Sequence, residues 1–216
     1  MIIKSLKLSI FLTNCYILID ENTGRTVVID PGKFTEKLVG ELQSPEISSI
    51  DAILLTHGHF DHIGGVKQLK DLSGAKVYLH ELDAKCLKDE DLSLASSLRN
   101  AKLEKLEADF LLEGGEMLSC GDIELKVLHT PGHTPGSVCF VEEKQIEEKE
   151  NAIFTGDTLF KLTVGRTDFP RGDWEQLKSS LKKIKALTAD YKVYPGHEDF
   201  STLNYEKANN EYLRDF

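Results

Sequence analysis

Four side chains that commonly bind metal ions lie within six consecutive positions of the sequence: His57, His59, Asp61 and His62. The apolar run 50–55 before them predicts a buried strand, and the apolar periodicity after residue 65 predicts a helix ending near Gly74. The cluster therefore lies in a strand-to-helix loop at the carboxyl end of a strand, where open sheets usually place ligand sites. Burying these groups without partners would cost roughly 1–3 kcal/mol each, so we predict a metal site rather than a packing role.

Three later segments have the same character, because each predicted strand is followed by a glycine-containing loop with a metal-capable side chain. They are TPGHTPGS at 130–137 with His133, TGDTLF at 155–160 with Asp157, and YPGHE at 194–198 with His197. Pro-Gly turns are common, so only the set as a whole is specific. Imidazole and carboxylate ligands without thiolate suit zinc, iron or manganese, and ligand type alone does not name the metal.

The hydrophobic pattern predicts alternating strands and helices. Helix 173–187 is the clearest, because Asp173 is a good N-cap and Gln176 follows three residues on. Its apolar stripe of Trp174, Leu177, Leu181 and Ile184 is interpreted as core packing. The charged run 142–151 is interpreted as a solvated hairpin tip. Strands are predicted at 3–11, 15–20, 25–29, 50–55, 76–79, 110–112, 117–119, 123–128, 137–141, 152–154 and 191–194, and further helices at 35–42, at 203–213 and within 81–108.

Length and composition indicate a soluble cytoplasmic protein. With 216 residues, 40% of them hydrophobic, and no linker rich in Pro, Gly or Ser, we predict one domain spanning residues 1–216. The net charge of −10 disfavours nucleic acid and anionic membranes as partners. No segment approaches the ~20 apolar residues of a membrane helix, and the N-terminus lacks a signal-peptide pattern. The widely spaced cysteines are interpreted as reduced thiols: Cys15, Cys86, Cys120 and Cys139.

Together, H-x-H-x-D-H, P-G-H-T-P-G-S, G-D-T-L-F and P-G-H-E resemble the motifs of the metallo-β-lactamase superfamily, and within it the short-form glyoxalase II-like (hydroxyacylglutathione hydrolase-like) hydrolases. The resemblance runs from residue 10 or so to the neighbourhood of residue 200. It implies an α/β (α+β) fold, a four-layer αβ/βα sandwich of two mixed sheets flanked by helices. It also implies two divalent metal ions, one held by His57, His59 and His133, the other by Asp61, His62 and His197, with Asp157 bridging both.

The resemblance further implies a metallo-hydrolase that cleaves a thioester such as S-lactoylglutathione by attack of a metal-bridging hydroxide. Two cations about 3.5–4 Å apart can lower the pKa of a shared water toward neutrality and stabilise the developing oxyanion. A thiolate leaves readily, so no strong general acid is required. Asp61 and Asp157 are the candidate catalytic residues, as ligands first and at most partial proton carriers. The expected partner is a small acylated thiol, and the oligomeric state stays open.

Residues near the predicted strand ends are candidates for supporting roles. Asp30 is predicted to orient a ligand imidazole through its second ring nitrogen. His80 and His129 are predicted to be hydrogen-bonded in packing, and Asn14 is predicted to be a turn residue.

The segment Gly165-Arg166-Thr167-Asp168 resembles the G-R-x-D segment of small glyoxalase II-like enzymes. Arg166 is a candidate for binding a substrate carboxylate bidentately. Equally, it could pair with Asp168 and fix the loop. The long form of glyoxalase II grips glutathione with a helical C-terminal extension, whereas only residues 198–216 follow His197 here. We therefore expect that grip to be missing or built differently.

Other functions remain open at this point. A persulfide dioxygenase would use one iron on two histidines and an aspartate, and the full second ligand set weakens that alternative. A lactonase or a tRNA-processing type of phosphodiesterase is also compatible with the motifs, although the acidic charge and the lack of an inserted basic arm argue against the RNA enzyme. A metal-binding or redox-partner module without turnover would have a site sealed by protein ligands.

Overall fold

The computed structural model describes residues 1–99, 101–143 and 151–214. The first of two six-stranded sheets has its strands in sequence order. The pairs within its first three strands are antiparallel and the remaining pairs are parallel. Its strands are β1 (Ile2–Leu8), β2 (Thr13–Ile19), β3 (Arg25–Ile29), β4 (Ser49–Leu54), β5 (Lys76–His80) and β6 (Phe110–Leu112).

The second six-stranded sheet is antiparallel except for one central parallel pair, β10 with β13. Its spatial order is β14 (Ser201–Thr202), β13 (Tyr191–Pro195), β10 (Asn151–Gly156), β9 (Val138–Glu142), β8 (Ile123–His129) and β7 (Met117–Cys120). A separate two-stranded ribbon, which the sequence analysis did not predict, consists of β11 (Leu159–Phe160) and β12 (Thr163–Val164).

Several helices begin at residues whose side chains cap them. The Thr35 side chain accepts a hydrogen bond from Leu38 N, and Asp173, the predicted N-cap, accepts one from Gln176 N. The helices are α1 (Glu36–Leu42), α2 (Phe60–Ile63), α3 (Val66–Ser73), α4 (Trp174–Lys185), α5 (Leu203–Asn209) and α6 (Glu211–Arg214), with 3₁₀ helices at Glu81–Leu87 and Ala95–Ser97.

Alternation along the strands divides the apolar side chains among three cores. In β10, Phe154 faces the other sheet, whereas Ile153 packs with Leu177 and Leu181 of α4. In β3, Val28 belongs instead to the core beneath α1 and α3. Helices therefore cover both outer faces of the paired sheets. The predicted four-layer αβ/βα sandwich is confirmed.

Some local predictions are wrong. The described residues of segment 81–108 form 3₁₀ helices and irregular chain rather than α-helices. The helix predicted at 203–213 is broken at Asn210, whose side chain donates to Thr163 O at 3.1 Å. Trp174 is 39% exposed, although the rest of its stripe is buried.

Of the predicted hairpin tip at 142–151, residues 144–150 lie outside the described residues.

Within the three described ranges, no helix has both the length and the apolar character needed to cross a bilayer. The four cysteines are buried free thiols, as predicted.

One edge of the sandwich collects the ends of strands from both sheets. From the first sheet, Asp30 directly follows β3 and His57 follows β4; from the second, His133 follows β8, Asp157 follows β10 and His197 follows β13. Because these strand ends meet at the same edge, residues far apart in sequence lie close together there.

Candidate metal centre

The seven predicted ligands converge at this edge. Their candidate ligand atoms form three groups, and within each group all atoms lie within 4.8 Å of one another. The first and last of these groups are the two sets that the sequence motifs suggest for two ions. The groups are His57, His59 and His133; His57, His62 and Asp157; and Asp61, His62 and His197.

Asp157 lies between the two sets. Its Oδ2 is 3.5 Å from His133 Nε2 on one side and 3.5 Å from His197 Nε2 on the other. Its Oδ1 is 3.3 Å from His62 Nε2. One carboxylate therefore faces ring nitrogens of both sets, which is the position that a bridging ligand requires.

Asp61 and His62 lie on the one-turn helix α2 rather than on a loop, contrary to the sequence analysis. This turn buries His62 completely and leaves Asp61 at the edge of the site, with its Oδ2 3.2 Å from His197 Nε2. Thr13 Oγ1 donates to the same Asp61 oxygen at 3.0 Å. The helical turn, rather than a flexible loop, therefore separates these two side chains.

Several imidazoles have one nitrogen fixed by the protein, so the other is free to coordinate. His133 Nδ1 lies 2.7 Å from the carbonyl of Arg166, and His197 Nδ1 lies 3.2 Å from the carbonyl of Phe11. A carbonyl oxygen only accepts, so each Nδ1 carries a proton and each Nε2 is the atom directed at the site. Metal-binding histidines are usually oriented in this way.

Asp30 holds His62 in the same manner. Its Oδ2 is 2.9 Å from His62 Nδ1, and its two oxygens also accept from Thr56 N at 2.8 Å and Thr56 Oγ1 at 2.6 Å. The Asp30 backbone has φ of 50°, in the left-handed region that costs energy for a non-glycine residue. This backbone conformation places the Asp30 carboxylate where it can orient the His62 imidazole. Orienting a ligand imidazole is the role predicted for Asp30.

Replacing Asp30 with Asn should therefore weaken metal binding without unfolding the protein. Asn has the same shape but cannot accept through both atoms, so it holds His62 less firmly and lowers the basicity of the ring. We expect metal affinity, measured by competition with a chromophoric chelator, to fall roughly 10–100-fold. An affinity equal to that of the unmodified protein would show that His62 does not depend on Asp30.

The pKa values of the cluster residues suit metal binding, which requires deprotonated ligand atoms. Burial holds the pKa of His57 well below its ordinary value, and burial next to another imidazole lowers the pKa of His59 to about 3. Burial would lower the pKa of His62, but carboxylates, Asp61 first, raise it well above its ordinary value. Burial would raise the pKa of Asp157, but imidazoles, His62 first, hold it well below its usual range. Metal binding would therefore meet neutral His57 and His59 and would expel a proton from His62.

Buried polar atoms without hydrogen-bond partners are independent evidence that the residues fit a metal centre. Among the described residues, His57 Nε2 and Asp157 Oδ1 are buried within the cluster and lack a hydrogen-bond partner. Buried polar atoms are normally paired, and a coordinated cation would satisfy both. Gly196 makes room for the cluster, since a Cβ there would lie only 2.2 Å from Asp157 Oδ1.

Comparison with known proteins agrees with this geometry. The family model described as the metallo-beta-lactamase superfamily matches residues 9–197. The chain belongs to the metallo-β-lactamase superfamily. It is 34% identical over 216 residues to hydroxyacylglutathione hydrolase GloC of Haemophilus influenzae, covering 98% of this chain and 97% of that protein.

Two solved structures are also similar over nearly their whole length. BLEG-1 B3 metallo-beta-lactamase superposes with a TM-score of 0.89 at 36% identity, covering 98% of this chain and 99% of that one. TTHA1623 in a di-iron-bound form gives a TM-score of 0.82 at 36% identity, covering 97% and 100%. The cluster described above is thus a histidine-rich binuclear metal site typical of the superfamily.

Asp83 is a supporting residue that the sequence analysis missed. It is fully buried, and its carboxylate accepts from Gly58 N at 3.0 Å, Thr134 Oγ1 at 2.6 Å and Gly136 N at 3.1 Å. Arg171 lies beside it, with NH2 3.5 Å from Oδ1. Asp83 therefore ties the loop of the first superfamily motif to the loop of His133. Nothing in its sequence neighbourhood marks it, because both loops reach it only in the folded chain.

Asn14 also supports the site, so its prediction as a turn residue is wrong. It lies within β2 and is buried, and its side chain donates to Pro195 O at 3.0 Å and Glu198 O at 3.1 Å. These two carbonyls flank His197. The contact joins an early strand of the first sheet to the last ligand loop of the superfamily site.

His80 and His129 stay outside the metal cluster. Their rings stack with centroids 4.0 Å apart, and their Nε2 atoms bond to the carbonyls of Glu113 and Pro135, respectively. Hydrogen-bonded packing, the role predicted for both, accounts for these contacts.

The metal cluster opens into a cavity of about 690 Å³. Arg166 lines it, and its Nε and NH2 each bond at 2.6 Å to one oxygen of Asp168. The guanidinium also lies 3.9 Å from the centroid of the Phe169 ring. This pairing favours the loop-fixing alternative, and substrate binding by Arg166 stays a prediction.

Proposed function

We propose that this metal-dependent hydrolase cleaves a thioester. The observation that carries the proposal is the pair of ligand sets around Asp157, open to a cavity large enough for a small molecule. A binuclear centre supplies, when loaded, an activated water and Lewis-acid stabilisation of the oxyanion. A thiolate can leave without being protonated, so no general acid is needed. This suits the site, because its carboxylates, Asp61 and Asp157, already face imidazoles.

The chain's own residues orient and shield the reacting group. Asp30 and the carbonyls of Arg166 and Phe11 fix the imidazoles before substrate arrives, so little reorganisation is needed during reaction. Around the cluster the cavity wall is largely apolar, with Phe160 and Phe169 among its members. Such a wall excludes water from the scissile bond and strengthens electrostatic interactions there.

The similarity to the Haemophilus protein, whose name denotes hydrolysis of an acylated glutathione, supports a thioester as the substrate. A second candidate is β-lactam hydrolysis, because a B3 metallo-beta-lactamase shares the fold and 36% of the sequence. Persulfide oxidation is less well supported, since the second ligand set of Asp61, His62 and His197 is drawn together here.

A substrate panel tests the proposal. Protein loaded with zinc, iron or manganese would be assayed for thiol release from S-lactoylglutathione and other thioesters, for cephalosporin ring opening, for lactone hydrolysis, and for oxygen uptake with glutathione persulfide. We expect thioesters to give the highest kcat/KM. Faster β-lactam opening, or oxygen uptake without thioester cleavage, would replace the proposal with the corresponding alternative.

Arg166→Ala distinguishes the two roles of that side chain. If Arg166 only fixes its loop through Asp168, KM for an acidic thioester should stay within about twofold. Metal content, measured by elemental analysis, should be unchanged in either case. A KM increase of roughly tenfold at full metal content would instead establish carboxylate binding by Arg166.

A further inference from the structure

A second cleft adjoins the cavity of the metal cluster. It has a volume of about 320 Å³ and shares wall residues with the larger cavity, among them Phe60, Asp61 and Leu98. Because Asp61 also belongs to the metal cluster, a molecule bound at that cluster could extend directly into this cleft. The cleft is therefore a candidate for the part of the substrate remote from the scissile carbonyl.

Three exposed cationic side chains line this cleft: Lys33, Arg99 and Lys102. Lys33 comes from the loop after β3, whereas Arg99 and Lys102 come from the irregular segment before β6. Cationic residues from separate parts of the chain thus line the same cleft. We refer to this feature as the cationic cleft.

Within the part of the chain that the structure describes, none of these three side chains has an ion pair or a hydrogen bond. By contrast, two lysines of α3, the helix that contributes Gln68 to the cleft, are paired: Lys67 with Asp71 and Lys70 with Asp109. The protein has ten more acidic than basic side chains, so leaving three neighbouring cations without acidic partners is unexpected. Apart from Asp61, the described lining of the cleft contains no carboxylate.

The larger cavity offers no comparable partner for an anion. Its described lining contains one cation other than imidazole, Arg166, whose charge is met by Asp168. It also contains the acidic Glu198. A carboxylate or phosphate directed into that cavity would have to compete with Asp168 for Arg166.

We propose that the cationic cleft binds an anionic group, a carboxylate or a phosphate, on the leaving-thiol side of the substrate. This inference rests on the proposed thioesterase function and specifies its substrate class. Guanidinium and ammonium groups bind both kinds of anion. Glutathione would supply carboxylates and coenzyme A would supply phosphates.

The test compares lactoyl thioesters that share the scissile group and differ in charge. They are the thioesters of glutathione, of coenzyme A, and of uncharged N-acetylcysteamine. In the variant Lys33→Gln/Arg99→Gln/Lys102→Gln, KM for an anionic thioester should rise about tenfold. Values of kcat, metal content and the KM for the neutral thioester should not change. Whichever anionic thioester shows the larger increase identifies the source of the anion.

A matched control removes the same charge elsewhere. Lys37→Gln/Lys85→Gln/Lys105→Gln replaces three exposed lysines that do not line the cleft, and should leave every KM unchanged. Salt provides a second readout, because screening weakens binding between charges. In the unmodified protein and the control, KM for the anionic thioester should rise with ionic strength, and this dependence should be lost in the cleft variant.

The outcomes separate the two proposals. If the neutral thioester is cleaved but the cleft variant shows the same KM and salt dependence as the control, the cationic cleft does not bind substrate and this inference is overturned alone. If the metal-loaded protein cleaves none of the thioesters, the thioesterase proposal fails, and the inference that rests on it fails with it.

Discussion

Asp157→Ala is expected to lose both metal ions and to lower hydrolysis by at least roughly a thousandfold. Asp157 faces ring nitrogens of both ligand sets, so its removal takes a ligand from each. It would also remove one of the carboxylates that raise the pKa of His62 and of His197. Elemental analysis of the purified variant, with thiol release measured on the same sample, checks both effects.

The control for this variant is Asp199→Ala. Asp199 is an exposed carboxylate two residues after His197, and its contact is a long ion pair with Lys7 at 3.9 Å. We expect it to retain the metal content and activity of the unmodified protein. Normal metal content in Asp157→Ala would mean that the two sets bind ions independently, contrary to a bridging role.

Asp83→Ala is expected to have the largest effect on stability. Removing this carboxylate leaves the buried amides of Gly58 and Gly136 without an acceptor and removes a partner of the Thr134 hydroxyl. It also leaves Arg171 without its acidic neighbour. Loss of one partner from such a buried network costs about 3–5 kcal/mol of unfolding free energy. Because Asp83 joins two ligand loops, metal affinity should fall as well. Denaturant unfolding and chelator competition measure the two quantities.

Two further variants make the Asp83 result specific. Glu81→Ala removes an exposed acid from the same 3₁₀ helix and should change the unfolding free energy little. Asp83→Asn keeps the shape and one acceptor oxygen. Its decrease in unfolding free energy should therefore lie between those of Glu81→Ala and Asp83→Ala. If Asp83→Ala were as stable as Glu81→Ala, the two loops would be held by other contacts.

The ligands were predictable from the sequence because each belongs to a segment of recognisable composition that follows a strand. His57, His133 and His197 all come after apolar runs that the hydrophobic pattern detects. The layer arrangement was predictable for the same reason, since strand alternation such as Ile153 and Phe154 assigns each face to a core. Local chemistry and periodicity therefore determine both features.

The supporting residues were not predictable, because their partners are distant in sequence. Asp83 contacts Gly136, 53 positions away, and Asn14 contacts Pro195, 181 positions away. No local pattern encodes such a contact. Segment 81–108 was predicted as helix from its charge and scattered leucines. Its described residues instead form 3₁₀ helices and irregular chain, which supply Asp83 and two cations of the cationic cleft.

The most direct test of a binuclear hydrolytic centre is a metal titration of the chelated protein. Metal would be added back in steps while bound metal and thiol release from a lactoyl thioester are measured on the same samples. The seven converging side chains predict no activity without metal and a rise in activity that ends at two equivalents per chain. Full activity in metal-free protein, or saturation at one equivalent, would contradict this account.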